Sequence, residues 1–575
     1  MTHMKKHVAI ETVADAYLEV LSARGIKYFF GNGGSDFGPI AEAFAKRLST
    51  EAPGPTPMVV PHEITAMGMA HGYTMVTGQP QVVMVHTIAG TANAIGGLIN
   101  AIRTGVPMLF SAGRTPLTEG SMKGSRGGLI HWAQESFDQG SMVREWVKWD
   151  YELRHGADVE GVVDRALAIA TTDPQGPVYL TLPNEVLAED QEALDYDDEP
   201  RMPASEAAAS DRLIQRAAAA LARAKNPILI TRGAGKDAEA VAPLVRLCTL
   251  LNMPVFEGST PSHMNFPKTH PLLQPGGIAT PHLDQADVVV VVENDVPWTP
   301  KAKQPSPDAT IIAIGADPLY SRYPVRGFRM TLGLAGNVAQ TLTALASAVA
   351  AQDLDAGAIQ ARGAEWAANH QKLRAAITAR ALEGRDAVPL DKAWVSYCLE
   401  QLRDDDTILV NELGLESSQF QMTQPGTLFD VSPAGVLGWA LGAALGAKLA
   451  APEKTVIACV GDGSYIYGVP PAVHWVARRY ELPVLFIVWN NSGWNAVSGT
   501  TRSMYPQGWA VKSNTFPFSD LSPSVDFVKE VEACGGYGER VETPQQLPSA
   551  LERALRMVKV EKRQALLEII GGSRS

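Results

Sequence analysis

The chain has 575 residues, of which 46% are hydrophobic and 19% charged, and carries a net charge of −12. That length exceeds what one hydrophobic core organises and implies three or four domains, while the composition is that of a soluble globular enzyme. An acidic chain with no compensating basic stripe is not built for nucleic acid, although phosphate binding, being local, is unaffected. Four scattered cysteines, Cys248, Cys398, Cys459 and Cys534, form no Cys-x-x-Cys pair and read as reduced structural thiols of a cytoplasmic protein. The N-terminal Met-Thr-His-Met-Lys-Lys-His lacks a signal-peptide core and leads toward an amphipathic helix. The most apolar long stretch, 436–450, is too short and too rich in glycine to span a bilayer, so no membrane association is expected.

Strand-like runs alternate with helical segments throughout, which is the α/β pattern. In the first block the runs fall at 27–30, 58–60, 82–85, 108–110 and 178–182. Glu63 leaves the second run and begins a helix rich in small residues that can pack closely on a neighbour; on its own it is a first-turn glutamate suited to the helix dipole. Residues 116–149 form a decorated stretch in which Arg126 and His131 stand either at a substrate mouth or in an interface. Residues 189–206 turn acidic and proline-bearing and read as a linker. A second block has runs at 228–230, 255–256, 288–292 and 310–314. Its Arg232-Gly-Ala-Gly-Lys236 lacks the rest of a phosphate-loop pattern and reads as a βα turn. A polar helical connector at 351–390 precedes the third block. The expected architecture is three doubly wound parallel-sheet domains, at 1–190, 205–350 and 391–575.

The third block holds the pattern richest in chemistry. The run 455–460 ends at Gly461-Asp462-Gly463, a helix is predicted over 469–480, and the run 483–489 ends at Asn490-Asn491. Strand, crossover helix and parallel strand form a βαβ unit, which brings Asp462 and Asn491 to the carboxyl edge where such sheets bind ligands. One carboxylate, one amide oxygen and the backbone carbonyl of Gly493 offer oxygen-only ligation to Mg²⁺ beside a phosphate. Gly461 and Gly463 allow the backbone to approach that phosphate, and Ser464 adds a hydroxyl.

Gly-Asp-Gly followed at this distance by Asn-Asn resembles the signature of the thiamine diphosphate enzymes. The resemblance extends over nearly the whole chain, in the order pyrimidine-binding, middle and diphosphate-binding domains. It implies thiamine diphosphate and Mg²⁺ as cofactors, with Asp462, Asn491 and Gly493 as metal ligands. Glu63 matches the glutamate that activates the aminopyrimidine across a subunit boundary, so the resemblance implies a homodimer with shared active sites, and a homotetramer as the assembly. Gly435 matches the carbonyl that binds the aminopyrimidine and Leu437 the apolar wedge beneath the bent cofactor. Gly414 and Ser417 fall in the first diphosphate-gripping loop.

Three segments are locally most similar to benzoylformate decarboxylase: Phe30-Gly-Asn-Gly-Gly-Ser35, His86-Thr-Ile-Ala-Gly-Thr-Ala-Asn93 and Asp173-Pro-Gln-Gly-Pro-Val-Tyr-Leu180. The similarity gives Ser35, with the Gly34 amide beside it, the substrate carboxylate, and gives His86 the protons; Trp494, Ala496 and Val497 would shape an apolar acceptor pocket. The middle-domain histidine of that enzyme has no counterpart in Glu293-Asn-Asp-Val-Pro-Trp-Thr-Pro300. The expected activity is therefore decarboxylation or carbon–carbon cleavage of an aryl or branched 2-oxo acid. Acetolactate-synthase-like carboligation and 2-hydroxyacyl-CoA cleavage are the alternatives. A catalytically silent homologue would have no use for Glu63, Asp462 and Asn491 together.

Overall fold

A computed structural model describes residues 5–199, 203–204, 206–258 and 260–572 of the chain. The apolar runs become three sheets whose strands are all parallel. The first has the order Thr56–Val59, Tyr28–Asn32, Val82–Val85, Leu109–Arg114, Val178–Pro183, Asp150–Glu152. The second runs Val255–Phe256, Pro227–Thr231, Val288–Val292, Thr310–Gly315, Leu332–Ala335. The third runs Leu428–Asp430, Thr407–Glu412, Thr455–Gly461, Val484–Asn490, Ala565–Ile570, Tyr537–Val541. Parallel strands covered on both faces need no polar side, which is why Val288–Val292 is five buried valines and every residue of Val484–Asn490 is buried. The fold is α/β, three doubly wound parallel sheets with helices between the strands.

The chain condenses into two compact units. One comprises residues 1–205, 432–453 and 467–482; the other comprises 206–431, 454–466 and 483–575. The second and third sheets belong to the latter unit. The long helix Ala356–Glu383 occupies the expected polar connector.

Two local expectations change. The stretch 189–206 contains a strand, Ala193–Asp197, and the N-terminus is itself a strand, Lys5–Ala9, ahead of the helix Val13–Ala23. The two pair antiparallel, Lys5 opposite Asp197 and His7 opposite Asp195, so a basic strand meets an acidic one. Leu194 and Tyr196 are buried while Asp195 faces water; this period-two signal lay inside a run whose acidity dominated its reading. Residues 1–4, 200–202 and 205, which the expected first domain and linker include, lie outside the described residues. Among the described residues no helix is long and apolar enough to cross a membrane.

Within the first unit, the helix Glu63–Thr77 packs on the helix Trp439–Ala450 through glycine-lined faces. A Cβ on Gly72 would stand 2.0 Å from the Ala443 carbonyl oxygen, and one on Gly446 2.0 Å from that of Met69. Backbones this close exclude any side chain, and the helix that begins at Glu63 is fixed in place by the contact. Gly72→Ala should therefore cost about 1–3 kcal/mol of stability by forcing the helices apart. Gly38→Ala, where an added Cβ meets nothing within 4 Å, should change the denaturation midpoint little. Equal midpoints for the two variants in urea unfolding would contradict the close-packed account.

Candidate active site

Glu63 opens its helix, with His62 as N-cap accepting from the Ile64 amide at 3.2 Å. The carboxyl group is buried, and an isolated buried carboxylate is expensive unless donors replace water. Two side-chain amides do so: Asn32 Nδ2 donates to Oε1 at 2.9 Å and Asn93 Nδ2 to Oε2 at 3.2 Å. One donor on each oxygen fixes the plane of the carboxyl group and leaves a lone pair on each oxygen for a further partner. Gly90 keeps the space beside it open, since a Cβ there would lie 3.2 Å from Oε1.

Asp36 is another buried acid of this unit. It follows the loop Gly33-Gly34-Ser35, and its Oδ1 binds His86 Nδ1 at 2.6 Å while Oδ2 accepts from the Thr87 amide at 3.3 Å. This bond to Asp36 is the main reason the His86 imidazole is held above its ordinary pKa, against the opposing effect of burial; the charge on Asp36, Gln134 and the charge on Glu63 add to it. Two glycines make room for the pair. A Cβ on Gly34 would fall 2.2 Å from His86 Nδ1, and one on Gly113 1.8 Å from Asp36 Oδ2. Ser35 is exposed, and its Oγ lies 3.5 Å from His131 Nε2. Of the two residues singled out in the 116–149 stretch, His131 thus reaches Ser35. Arg126 is occupied by Glu135 and by the carbonyls of Pro116 and His131. The loop carrying Gly435 (φ +63°) and Leu437 is gripped at Val436, whose carbonyl accepts from Asn100 Nδ2 at 2.8 Å and whose amide donates to Asn100 Oδ1 at 3.3 Å.

In the second unit, strands Thr455–Gly461 and Val484–Asn490 are parallel neighbours, Gly461 opposite Trp489, so Asp462 and Asn491 leave the sheet at the same edge. Asp462 Oδ1 accepts from the Gly463 amide at 2.8 Å and Oδ2 from the Gly493 amide at 3.0 Å. The Asn491 carboxamide lies 3.2 Å from the Gly493 carbonyl oxygen. Hydrogen bonds thus join the three residues in one cluster. Burial pushes the Asp462 carboxyl up from its ordinary pKa, partly offset by the surrounding amides, and a cation placed there would favour its charged form. Gly461 is open, since a Cβ there would meet nothing within 4 Å, whereas one on Gly463 would strike the Trp494 ring at 2.3 Å. Trp494 therefore covers Gly463, and Ala496 and Val497 lie exposed on the helix Asn495–Met504. Ser464 is buried in the short helix that follows the motif. Gly414 passes so near the strand Thr455–Gly461 that a Cβ would meet the Val460 amide nitrogen at 2.3 Å. Ser417 Oγ is bonded to the buried Asp430 and lies 3.1 Å from Asn411 Nδ2.

Sequence reasoning missed the residues that hold these groups: Asn32, Asp36, Asn93 and Asn100 in the first unit, and Asn490 with Glu568 in the second. Asn490 Nδ2 donates to the buried Glu568 at 2.7 Å, and its Oδ1 accepts from the Ser492 amide at 3.0 Å. That amide belongs to a residue at φ +51°, a conformation serine adopts only when neighbours enforce it. Asn32 and Asn93 stood inside the quoted segments; the available signal was polar residues of the right reach at strand and helix ends.

Three family models match the chain: the N-terminal binding domain of the thiamine pyrophosphate enzymes over residues 11–142, their central domain over 214–345 and their C-terminal binding domain over 413–569. The chain belongs to the thiamine pyrophosphate (thiamine diphosphate) enzyme family, and is a cofactor-dependent lyase or carboligase. It is 28% identical to the benzoylformate decarboxylase of Pseudomonas aeruginosa over 95% of this chain and 97% of that one. It is 25% identical to the acetolactate synthase of Bacillus subtilis over 96% and 93%. Among solved structures, the thiamine diphosphate-dependent 4-hydroxybenzoylformate decarboxylase of Rhodococcus jostii RHA1 superposes with a TM-score of 0.77 at 25% identity, covering 98% of this chain and 99% of that one.

Asp36→Asn should lower the His86 pKa, read from the imidazole resonances in an NMR titration. The sign carries over to stability. A raised imidazole pKa stabilises the fold fully below about 6.5, and that contribution is lost as the pH climbs through the raised value. The Asp36→Asn variant should therefore lose most stability relative to wild type in acid and least in base. An unchanged His86 titration would remove Asp36 from the proton-holding role.

Proposed function

We propose that the enzyme uses thiamine diphosphate with Mg²⁺ to release CO₂ from a 2-oxo acid bearing an aryl or branched group. The observation that carries this reading is the pairing of two acids with different tasks in the first unit. Glu63 is presented by two asparagines, and Asp36 holds a proton on His86, within electrostatic reach of Glu63. Decarboxylation ends in a proton gained at carbon, and an imidazole whose proton Asp36 holds more firmly is a suitable source.

When bound, thiamine diphosphate supplies a nucleophilic carbon and an electron sink for the bond that breaks. This chain's residues would do the rest. Asp462, Asn491 and Gly493 would hold the cation, which suits their oxygen-only chemistry, with Gly461, Gly463, Ser464, Gly414 and Ser417 around the diphosphate. Glu63 would hold a proton at the aminopyrimidine, Gly435 would accept from that ring and Leu437 would support its bend. Ser35 and the Gly34 amide would bind the substrate carboxylate, and Trp494, Ala496 and Val497 would bound its apolar group.

The middle sheet supports this reading over CoA-ester cleavage. At its carboxyl edge Lys236 is paired with Glu293 at 3.0 Å and Arg232 with Asp295 at 3.4 Å, so the cations a nucleotide would recruit already face carboxylates. The reading includes a homodimer, in which Glu63 of one subunit serves the diphosphate half of its partner, and a homotetramer built from two such dimers. Large apolar side chains left on the surface, among them Leu129, Phe137, Trp509 and Phe518, support assembly. Four cysteines, none of them in a disulfide, support a reducing, cytoplasmic setting.

The test is a product assay with the loaded enzyme over aryl and branched 2-oxo acids, with and without an aldehyde acceptor, and over 2-hydroxyacyl-CoA esters. The expected result is CO₂ and aldehyde from aryl 2-oxo acids, abolished by a chelator and restored by Mg²⁺. Turnover confined to CoA esters would overturn the reading, and product only from acceptor coupling would move it to the carboligases.

A further inference from the structure

We propose that His131, on the short helix Ile130–Ala133, forms with Ser35 a two-donor clamp for the substrate carboxylate. The clamp rests on the reading of a 2-oxo acid as substrate and adds to it a residue outside the motifs that carry the family resemblance.

The tautomer follows from the loop. His131 Nδ1 accepts from the Gly127 amide at 3.1 Å and lies 3.4 Å from that of Gly128, so in the neutral ring the proton is on Nε2. Nε2–H points at Ser35 Oγ across 3.5 Å. At that separation the two groups make at most a weak bond with each other, and both can donate to one acceptor placed between them. The backbone beneath the ring is also tied down, because the His131 carbonyl accepts from Arg126 Nη1 at 2.9 Å and Arg126 is itself paired with Glu135. Glu135 also meets Arg114 at 3.2 Å, which ties the helix to the end of the strand Leu109–Arg114. A side chain fixed through both its ring and its backbone is pre-organised for binding.

Charge decides what such a site is good for. The guanidinium groups that meet Glu135, those of Arg114 and Arg126, are consumed by Glu135, Glu152 and backbone carbonyls. A carboxylate at Ser35 would therefore meet the Ser35 hydroxyl and His131 Nε2–H with no guanidinium free to pair with it. The charge on a 2-oxo acid carboxylate leaves that group as CO₂ departs. An ion pair would stabilise the charged ground state more than the transition state, whereas neutral donors anchor the substrate with less of that penalty. The clamp also answers the absence of a histidine in 293–300: a second imidazole comes from the same unit as His86 instead.

The experiment compares wild type, His131→Asn and His131→Ala, each loaded with thiamine diphosphate and Mg²⁺. The asparagine variant retains an acceptor for the Gly127 amide and lacks the Nε2–H donor, whereas the alanine variant lacks both. Isothermal titration with benzoate, a carboxylate that is not turned over, should show binding weakened about tenfold in both variants, as expected for losing one hydrogen bond to a charged group. Titration with benzamide should be unaffected, and the KM for benzoylformate should rise by a similar factor with little change in kcat. Wild-type affinity for benzoate in His131→Asn would overturn the clamp, leaving His131 a loop staple; so would benzamide binding as tightly as benzoate in wild type. His131-dependent benzoate binding in an enzyme that consumes no 2-oxo acid would uphold the clamp and sink the substrate reading instead.

Discussion

A carboxyl group removed from water is the constraint around which the first unit is arranged. Glu63 is buried, held in one plane and left with lone pairs to spare. Each feature has its own structural cause. Burial comes from its place at the junction of a strand edge and a helix whose glycines let the helix Trp439–Ala450 approach within backbone contact. The plane comes from Asn32 and Asn93, one amide on each oxygen. Open space comes from Gly90. Replacing any of these leaves the acid either unsatisfied or misaligned, and both outcomes are costly for a buried polar group.

The second unit solves a related problem with opposite means. Asp462 is also buried, but it is surrounded by backbone amides from its own turn and from the loop after Asn491. That loop is an unusual backbone conformation held from below by Asn490 and the buried Glu568, and from the side by the Trp494 amide donating to the Ser519 carbonyl at 2.7 Å. Flexible polar groups sit on rigid strand ends, which is how parallel α/β sheets usually build ligand sites.

Much of this was legible in the sequence because its signals are local. Fully apolar runs such as Val288–Val292 announce parallel strands buried on both faces, and Gly461-Asp462-Gly463 with Asn490-Asn491 sits at two such strand ends. Several edge strands were not legible, although Thr56–Val59 and Val255–Phe256, also at sheet edges, were. Asp150–Glu152 and Leu428–Asp430 are three residues each and carry acids, so they offer no apolar run to detect. Ala193–Asp197 was hidden by its charge until its partner, almost two hundred residues away, was known. The supporting residues of the site are concealed for the same reason. Asn32, Asp36 and Asn100 are short polar residues near glycines or within a helix, where turn, cap and surface readings all compete. Their partners lie 31, 50 and 336 positions distant.

The central claim is that Glu63 serves the chemistry of a bound thiamine diphosphate rather than the architecture of the fold. The direct measurement is Glu63→Gln, assayed in parallel for cofactor affinity by titration calorimetry and for CO₂ release. The amide preserves size and most hydrogen-bonding capacity while removing the proton-holding acid. The account predicts thiamine diphosphate binding close to wild type and turnover reduced by about 10²–10⁴-fold. Turnover equal to wild type, or a loss of activity that merely tracks a loss of fold, would contradict it.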